Sequence, residues 1–316
     1  VQAYVVRRTL SVVPAVFGVT VLVFLLLRLI PGDVVDQMLG AQGNITEAQR
    51  EALRHFFGLD QPIYVQFLDW VSRLAVGDMG ESFRTATPVS ELILSRLPVT
   101  LELTVFAMLI GTAIGLTTGI AAAVYRNSAI DDGARVVSLF GLSIPEFWQG
   151  TMLLLLTSLW LHWIPPVDYV APWQDPARNV LMFLLPALSL GTVLAANVTR
   201  MTRSAMLDVL RRDYVRTARA KGLHDRLVVL RHGLKNALIP VITVSGLQIG
   251  YLLGGAVIIE QVFTLPGLGR LLLDSIYGRD YPVVQGTVLV IAIAFVLVNL
   301  VVDLLYAFLD PRIKYA

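Results

Sequence analysis

The sequence predicts an all-α protein that crosses a membrane six times, and three observations carry that prediction. Charged residues make up 15% of the 316-residue chain, against roughly a quarter in soluble domains, while hydrophobic residues make up 56%. Five stretches free of Asp, Glu, Lys and Arg reach, or come within a residue of, the ~20 residues a helix needs to cross ~30 Å of hydrocarbon. None of the runs alternates with the period of two that a half-buried strand requires, and an open strand would leave its backbone unsatisfied in lipid.

Taken in order, the first run is Thr9–Leu27. Arg7 and Arg8 precede it as they would in a secretory signal, but it is longer than a signal's apolar region and no A-x-A-like site follows, so a retained span is expected. The second and fourth spans are Leu103–Tyr125 and Asn179–Thr199. The third, Val136–Leu161, carries Glu146 directly after Pro145, and a proline there frees a carbonyl and bends the helix. Asn236–Ile259 and Tyr281–Val302 complete the set. Gly111, Gly115 and Gly119 lie on one face of the second span, and Gly246, Gly250 and Gly254 on one face of the fifth. Such rows let helix backbones approach closely, either for packing within the chain or at a moving or subunit-contacting face.

Between the first two spans, Pro31–Pro98 is acidic, with nine Asp and Glu against five Arg. Its one short amphipathic candidate is TEAQREALRHFFGL, with Thr46 as cap and Leu53, Phe56 and Phe57 on one side. Tyr64, Phe67, Trp70 and Phe83 give this segment something to bury, so an ordered external cap is expected. The organisation is therefore a first span in 1–30, an external segment in 31–98, a membrane core in 99–310 with a loop at 200–235, and a tail in 311–316. With the N-terminus inside, the inner side holds sixteen Lys and Arg and the short loops opposite only Arg178, Arg270 and Arg279. Short basic loops stay inside, which puts both termini and the 200–235 loop in the cytoplasm.

That loop holds ten of the chain's 25 Lys and Arg. Wound as a helix, Arg212, Arg216 and Arg219 share one side, while Val215, Ala218 and Gly222 share another made of small residues. Gly222 suits the left-handed position that ends a helix, and Asp225 is placed to cap the next, with Leu227, Leu230 and Leu234 on one side. Attraction to anionic lipid accounts for the charge but needs neither the small face nor the glycine break. Docking of another protein accounts for all three, and the residues leave both readings open. A nucleic-acid site has no support, because aromatic interleaving and the known modules are absent.

Ionisable residues inside a membrane are costly and default to a functional expectation. Glu146, with Gln149 beside it, is the foremost candidate to face a hydrated path, and a structural partner is its other reading. Asn197 and Gln248 are further path candidates, although such residues usually bond between helices. Glu102 and Glu260 are expected to reach headgroups at the outer span ends, and Asp303 and Asp310 to be structural. The chain has no cysteine. Neither H-E-x-x-H nor G-x-S-x-G occurs, and His55, His162, His224 and His232 sit in four separate contexts. An ion-coupled carrier would need a relay of buried acids, for which only Glu146 qualifies.

An ordered set of motifs adds to this reading. DYVRTARAKGL followed by RHGLKNALIPVIT resembles the cytoplasmic EAA loop of permease subunits of ABC importers, in the oligopeptide, dipeptide and nickel branch. RR before the first span, LIPGD, FGLDQPIYVQFLDW, GDMGES, SIPEFW, VIIEQVFTLPGLGRLL and VDLLYAFLDPRIKY extend the likeness over nearly the whole chain. The general motif begins Glu-Ala-Ala where this chain has Arg216, Thr217 and Ala218, and many relatives have proline in place of Lys235.

The resemblance implies the type I ABC importer permease fold in a bacterial cytoplasmic membrane. It implies a heterodimer with a second permease, two cytoplasmic ATPases and an external substrate-binding protein. It further implies that Arg212, Asp213, Tyr214, Val215, Arg216, Thr217, Ala218, Arg219, Ala220, Lys221, Gly222 and Leu223 form a coupling helix seated in an ATPase. The small face and Tyr214 would make the contacts, and the arginines would supply register. No G-x-x-x-x-G-K-[ST] loop occurs here, so ATP and magnesium are expected on the partner chains. The implied cargo is a dipeptide or oligopeptide, with nickel complexes, glutathione or oligosaccharides as the alternatives.

Overall fold

The structure, a computed structural model, describes residues 2–29, 48, 51, 52, 55 and 60–309. The expected Thr46 cap with Leu53, Phe56 and Phe57, together with Arg50, Arg54 and the tail from Asp310, lies outside the described residues. Among those described, the named elements are all helices: α1 Gln2–Leu10, α2 Val12–Leu29, α3 Ile63–Ala75, α4 Val89–Val124, α5 Ala129–Ser143 and α6 Glu146–Leu161. They continue as α7 Pro176–Leu210, α8 Asp213–Ala220, α9 Asp225–Leu227, a π-wound stretch Val228–Leu234, α10 Lys235–Val262, α11 Leu268–Gly278 and α12 Tyr281–Leu309. By length and apolarity five rods can cross a membrane, and the bent pair α5–α6 makes a sixth crossing if it counts as one.

The third expected span is thus not a straight rod. Helices α5 and α6 meet at 105°. Ile144 and Pro145 are both extended there, as a residue before proline prefers, and the Gln149 amide donates 3.0 Å to the Ile144 carbonyl that the break leaves free. Two helices fall where only loop or segment was expected, α3 after Pro62 and α11 after Gly267. Helix α4 also starts well before Leu103 and runs through Pro98.

The chain divides into two compact units. One comprises Val1–Thr9, Val99–Pro266 and Leu297–Ala316, and α7 is its core helix, with 67% of its most apolar window buried. Asp175 starts α7 by accepting from the Arg178 amide at 3.0 Å, with Pro176 in the first turn where no amide proton is needed. Against it lies the predicted glycine row of α4. A Cβ built on Gly111 would stand 2.6 Å from the Gly191 carbonyl, one on Gly115 2.8 Å from that of Ala195, and one on Gly119 2.7 Å from that of Thr199. The backbones touch, and the Thr118 and Thr199 hydroxyls bond across the seam at 2.6 Å. Leu103, Ala107, Phe183, Leu190, Leu194, Leu252 and Ile259 fill the remaining core between α4, α7 and α10. In the second glycine row Gly246 packs on Val302, whereas a Cβ on Gly254 would meet open space; Gly255, outside that row, is also held close, against Leu190 and Glu146. Arg8 donates to Asp303 at 2.7 Å, which makes Asp303 structural as expected.

The other unit is Leu10–Pro98 with Gly267–Val296 and contains α3 and α11. Phe67 and Trp70 of α3 pack on Phe24 of α2, with ring centroids 5.1 and 5.7 Å away. Tyr64 does not join them and is exposed. Buried Asp280 accepts from the Phe83 amide and from the Ser82 hydroxyl, and Leu268 and Val283 close over Val89 and Ile93.

A branched side chain at the α4–α7 seam has nowhere to go except by separating two backbones. Gly111→Val is expected to cost about 1–3 kcal/mol, typical of overpacking, read as a lowered thermal midpoint of the purified protein. Gly133→Ala, inside α5 where a Cβ meets nothing within 4 Å, is the control and should not lower the midpoint.

Candidate functional site

After α7 ends, Arg211 closes its last turn and Arg212 turns extended (φ −72°, ψ 150°) to start α8 with Asp213 in the first turn. A carboxylate there suits the positive end of the helix dipole. At the far end the Gly222 amide donates to the Arg219 carbonyl at 2.9 Å and the Leu223 amide to that of Ala218 at 3.4 Å, with Gly222 at φ +77°. This paired closure needs a left-handed residue, which is what the glycine supplies. The next helix is capped by His224, whose Nδ1 accepts from the Arg226 amide, and not by Asp225 as the sequence suggested. Asp225 is spent instead on Arg219, 3.1 Å away across the bend.

The second limb also departs from expectation. It is not a separate short helix: α9 passes into the π-wound Val228–Leu234 and then straight into α10. A π turn brings residues five apart into line, so Val228 and Gly233 face inward, while Leu227 and Leu230 stay exposed. The expected stripe of Leu227, Leu230 and Leu234 assumed α-helical pitch.

The small face of α8 has a different partner from the one expected of it. Val215 (0% exposed) and Ala218 (7%) are buried against Val228 and Leu210 of this same chain. Tyr214 is likewise engaged: its hydroxyl accepts from Asn236 Nδ2 at 2.9 Å and donates to the His232 carbonyl at 3.4 Å. What α8 offers outward is Arg212, Asp213, Arg216, Thr217, Arg219, Ala220, Lys221 and, past the bend, Gly222 and Leu223, all exposed. Small residues bind the elbow together, and charged ones face away from it.

The polar candidates within the spans separate in the same way. Glu146 opens α6 with its carboxyl toward Tyr251, and its buried Oε1 has no hydrogen-bond partner among the described residues. Gln149 holds the helix break, and Asn197 on α7 and Gln248 on α10 are half-buried. Glu260 does not reach headgroups: it is fully buried and accepts from Thr100. Glu102 accepts from Tyr169 and Asn179, both at 2.7 Å. Burial, with that carboxylate beside it, pushes the Tyr169 phenol up to about 12. Sequence reading missed Asp131, which is fully buried and gripped by Arg203 at 2.6 and 2.8 Å and by the Asn127 amide at 3.0 Å. The only signal was an acid one turn into a helix that the run analysis began at Val136.

Known proteins match this arrangement from end to end. The N-terminal membrane-component model of binding-protein-dependent transport systems matches residues 1–104, and the model described as binding-protein-dependent transport system inner membrane component matches 115–315. The di/tripeptide transport system permease protein DppB of Pseudomonas aeruginosa is 46% identical over 99% of both chains. The glutathione transport system permease protein GsiC of Escherichia coli K12 is 44% identical, and the oligopeptide transport system permease protein AppB of Bacillus subtilis 43%, each over 99% of both chains. A solved amino acid ABC transporter shares the fold, with a TM-score of 0.51 at 18% identity over 71% of this chain and 95% of that one.

Removing Arg203 would leave the buried Asp131 carboxylate with only the Asn127 amide and the half-exposed Arg135, 3.5 Å away. Arg203→Met should destabilise the protein by about 3–5 kcal/mol, measured by thermal unfolding in detergent. Asp131→Leu combined with Arg203→Met should recover much of that loss, and a double variant as unstable as the single would contradict the pairing.

Proposed function

We propose, from the premise that the chain belongs to the family of binding-protein-dependent transport system inner membrane components, that it is a membrane-spanning permease subunit of an ATP-driven importer of short peptides. It is the non-catalytic part of that machine. The names of its relatives support small peptide cargo, and the glutathione permeases are the specific observation behind the second reading; glutathione is itself a tripeptide. The membrane is the cytoplasmic one of a bacterium, with both termini inside, an orientation supported by the basic inner loops.

The observation that carries the mechanism is the braced elbow of α8 and the π-wound limb. Its small face packs on Val228 and Leu210 and its π-wound limb on Met206 of α7, so a push on it reaches the spans, and its outward surface of Arg212, Asp213, Arg216 and Lys221 is free to engage a cytoplasmic ATPase. A ligand biases a conformational equilibrium only through contacts that differ between the states. Here those contacts would be made by the charged face, and the small face would pass the movement to the spans. A second, different permease and an external binding protein complete the assembly. The unit containing α3 and α11 is the candidate surface for the binding protein, and Asp69, exposed and paired with Arg73, lies on it.

Capture of the ATPase subunits by the purified permease tests the reading. Arg212→Glu with Arg216→Glu should weaken capture while leaving the thermal midpoint in place; undiminished capture would defeat it. Gly222 adds a conformational test. No atom lies within 4 Å of a Cβ there, so space is not the constraint, but φ is +77°. A branched residue in that region costs about 1–2 kcal/mol, which glycine and largely asparagine avoid. Gly222→Val is expected to lower ATP-driven uptake of labelled dipeptide several-fold, and Gly222→Asn to retain most of it.

A further inference from the structure

Between the elbow and the inner ends of α4 and α7 lies an open cavity of about 310 Å³. Val124, at the inner end of the second span, lines it together with Leu207 and Leu210 on the part of α7 that continues past the fourth span, so in the orientation proposed above it sits at the cytoplasmic edge of the membrane. Its walls are of two kinds. Arg126, Arg211 and Arg219 bring guanidinium groups, and Asp225 is the one acid among the lining residues. Leu207 and Val229, with Val124 and Leu210, supply an apolar side. Arg219 is partly neutralised by Asp225 at 3.1 Å, whereas Arg126 and Arg211 have no ion-pair partner among the described residues.

Two unpaired guanidiniums beside an apolar wall, at headgroup depth, match a phosphodiester carrying acyl chains better than a soluble anion, which would gain nothing from the leucines. We propose that this cavity binds one anionic phospholipid of the inner leaflet, its phosphate held by Arg126 and Arg211 and its glycerol and upper chains resting on Leu207 and Leu210. Basic pockets between span ends on the cytoplasmic side are suited to that chemistry. None of Arg212, Asp213, Arg216 and Lys221, the docking side chains proposed above, lines the cavity. Arg219 borders both the cavity and the brace to Asp225.

The site rests on the orientation argued above but not on the coupling role of α8, and one experiment separates them. The intact transporter, purified with its partner subunits and supplied with phosphatidylglycerol and phosphatidylcholine in equal amounts, is followed by native mass spectrometry. Phosphatidylglycerol should be retained in preference. Arg126→Gln with Arg211→Gln should raise the concentration for half-occupancy by about thirtyfold. Arg231→Gln, an exposed arginine outside the cavity, should leave it unchanged. Inorganic phosphate in large excess should not displace the lipid. Undiminished binding by the double variant, an equal loss with Arg231→Gln, or displacement by phosphate would each overturn the proposal, the last by making the site one for a soluble anion. ATPase subunits remaining on or lost from the variant complex are counted in the same spectra, so a failure of the docking reading registers separately.

Discussion

The close approach of α4 to α7 is the constraint on which the larger unit depends. In lipid, apolar side chains gain little by leaving one apolar surface for another, so helices associate through van der Waals contact and interhelical hydrogen bonds. Gly111, Gly115 and Gly119 bring no side chain of their own to that contact, which lets the α7 backbone, Leu194, Val198 and Thr202 press onto α4, and Gly191 does the same from the opposite wall. Only with those backbones touching can Thr118 bond Thr199, and only with α7 fixed does one helix present a wall to α5, α6 and α10 together. The grip of Arg203 on Asp131 is a second tie, from α7 to α5, near the cytoplasmic end.

Much of this was written in the amino-acid order, and the parts that were not share a cause. Run length located the spans, glycine spacing located the α4 seam, and Pro145 located the bend, because each is a local property of a few neighbouring residues. Helical periodicity also grouped Val215 with Ala218 correctly. It could not say what covers that group, and the cover turned out to be Val228, from the same chain. Glu260 misled for the same reason: an acid at the end of an apolar run looks destined for headgroups until Thr100, 160 residues away in sequence, is placed beside it. Pitch was the other blind point. A stripe drawn at 3.6 residues per turn cannot anticipate a stretch that winds wider, and so it chose Leu227 and Leu230 over Gly233.

Seen from its contacts, the elbow is a prefabricated part. Val215 and Ala218 fasten one limb to the other, Tyr214 and Asn236 pin the base, and Arg219 with Asp225 spans the bend. Docking surfaces usually keep an apolar centre for the partner. The docking proposed for this one would set the exposed Leu223, Leu227 and Leu230 among Arg212, Arg216 and Lys221, and that charge favours fast, salt-sensitive engagement.

The unbroken passage from the π-wound limb into α10 has a mechanical meaning. Helix α10 contributes 28 residues, about 42 Å at 1.5 Å each, so a twist applied at His232 is carried as torque along a shaft and not as slack taken up in a tether. Pro240 stands near the start of that shaft without an amide proton to secure the turn beneath it, and so the crank would flex there before it flexed anywhere deeper in the bilayer.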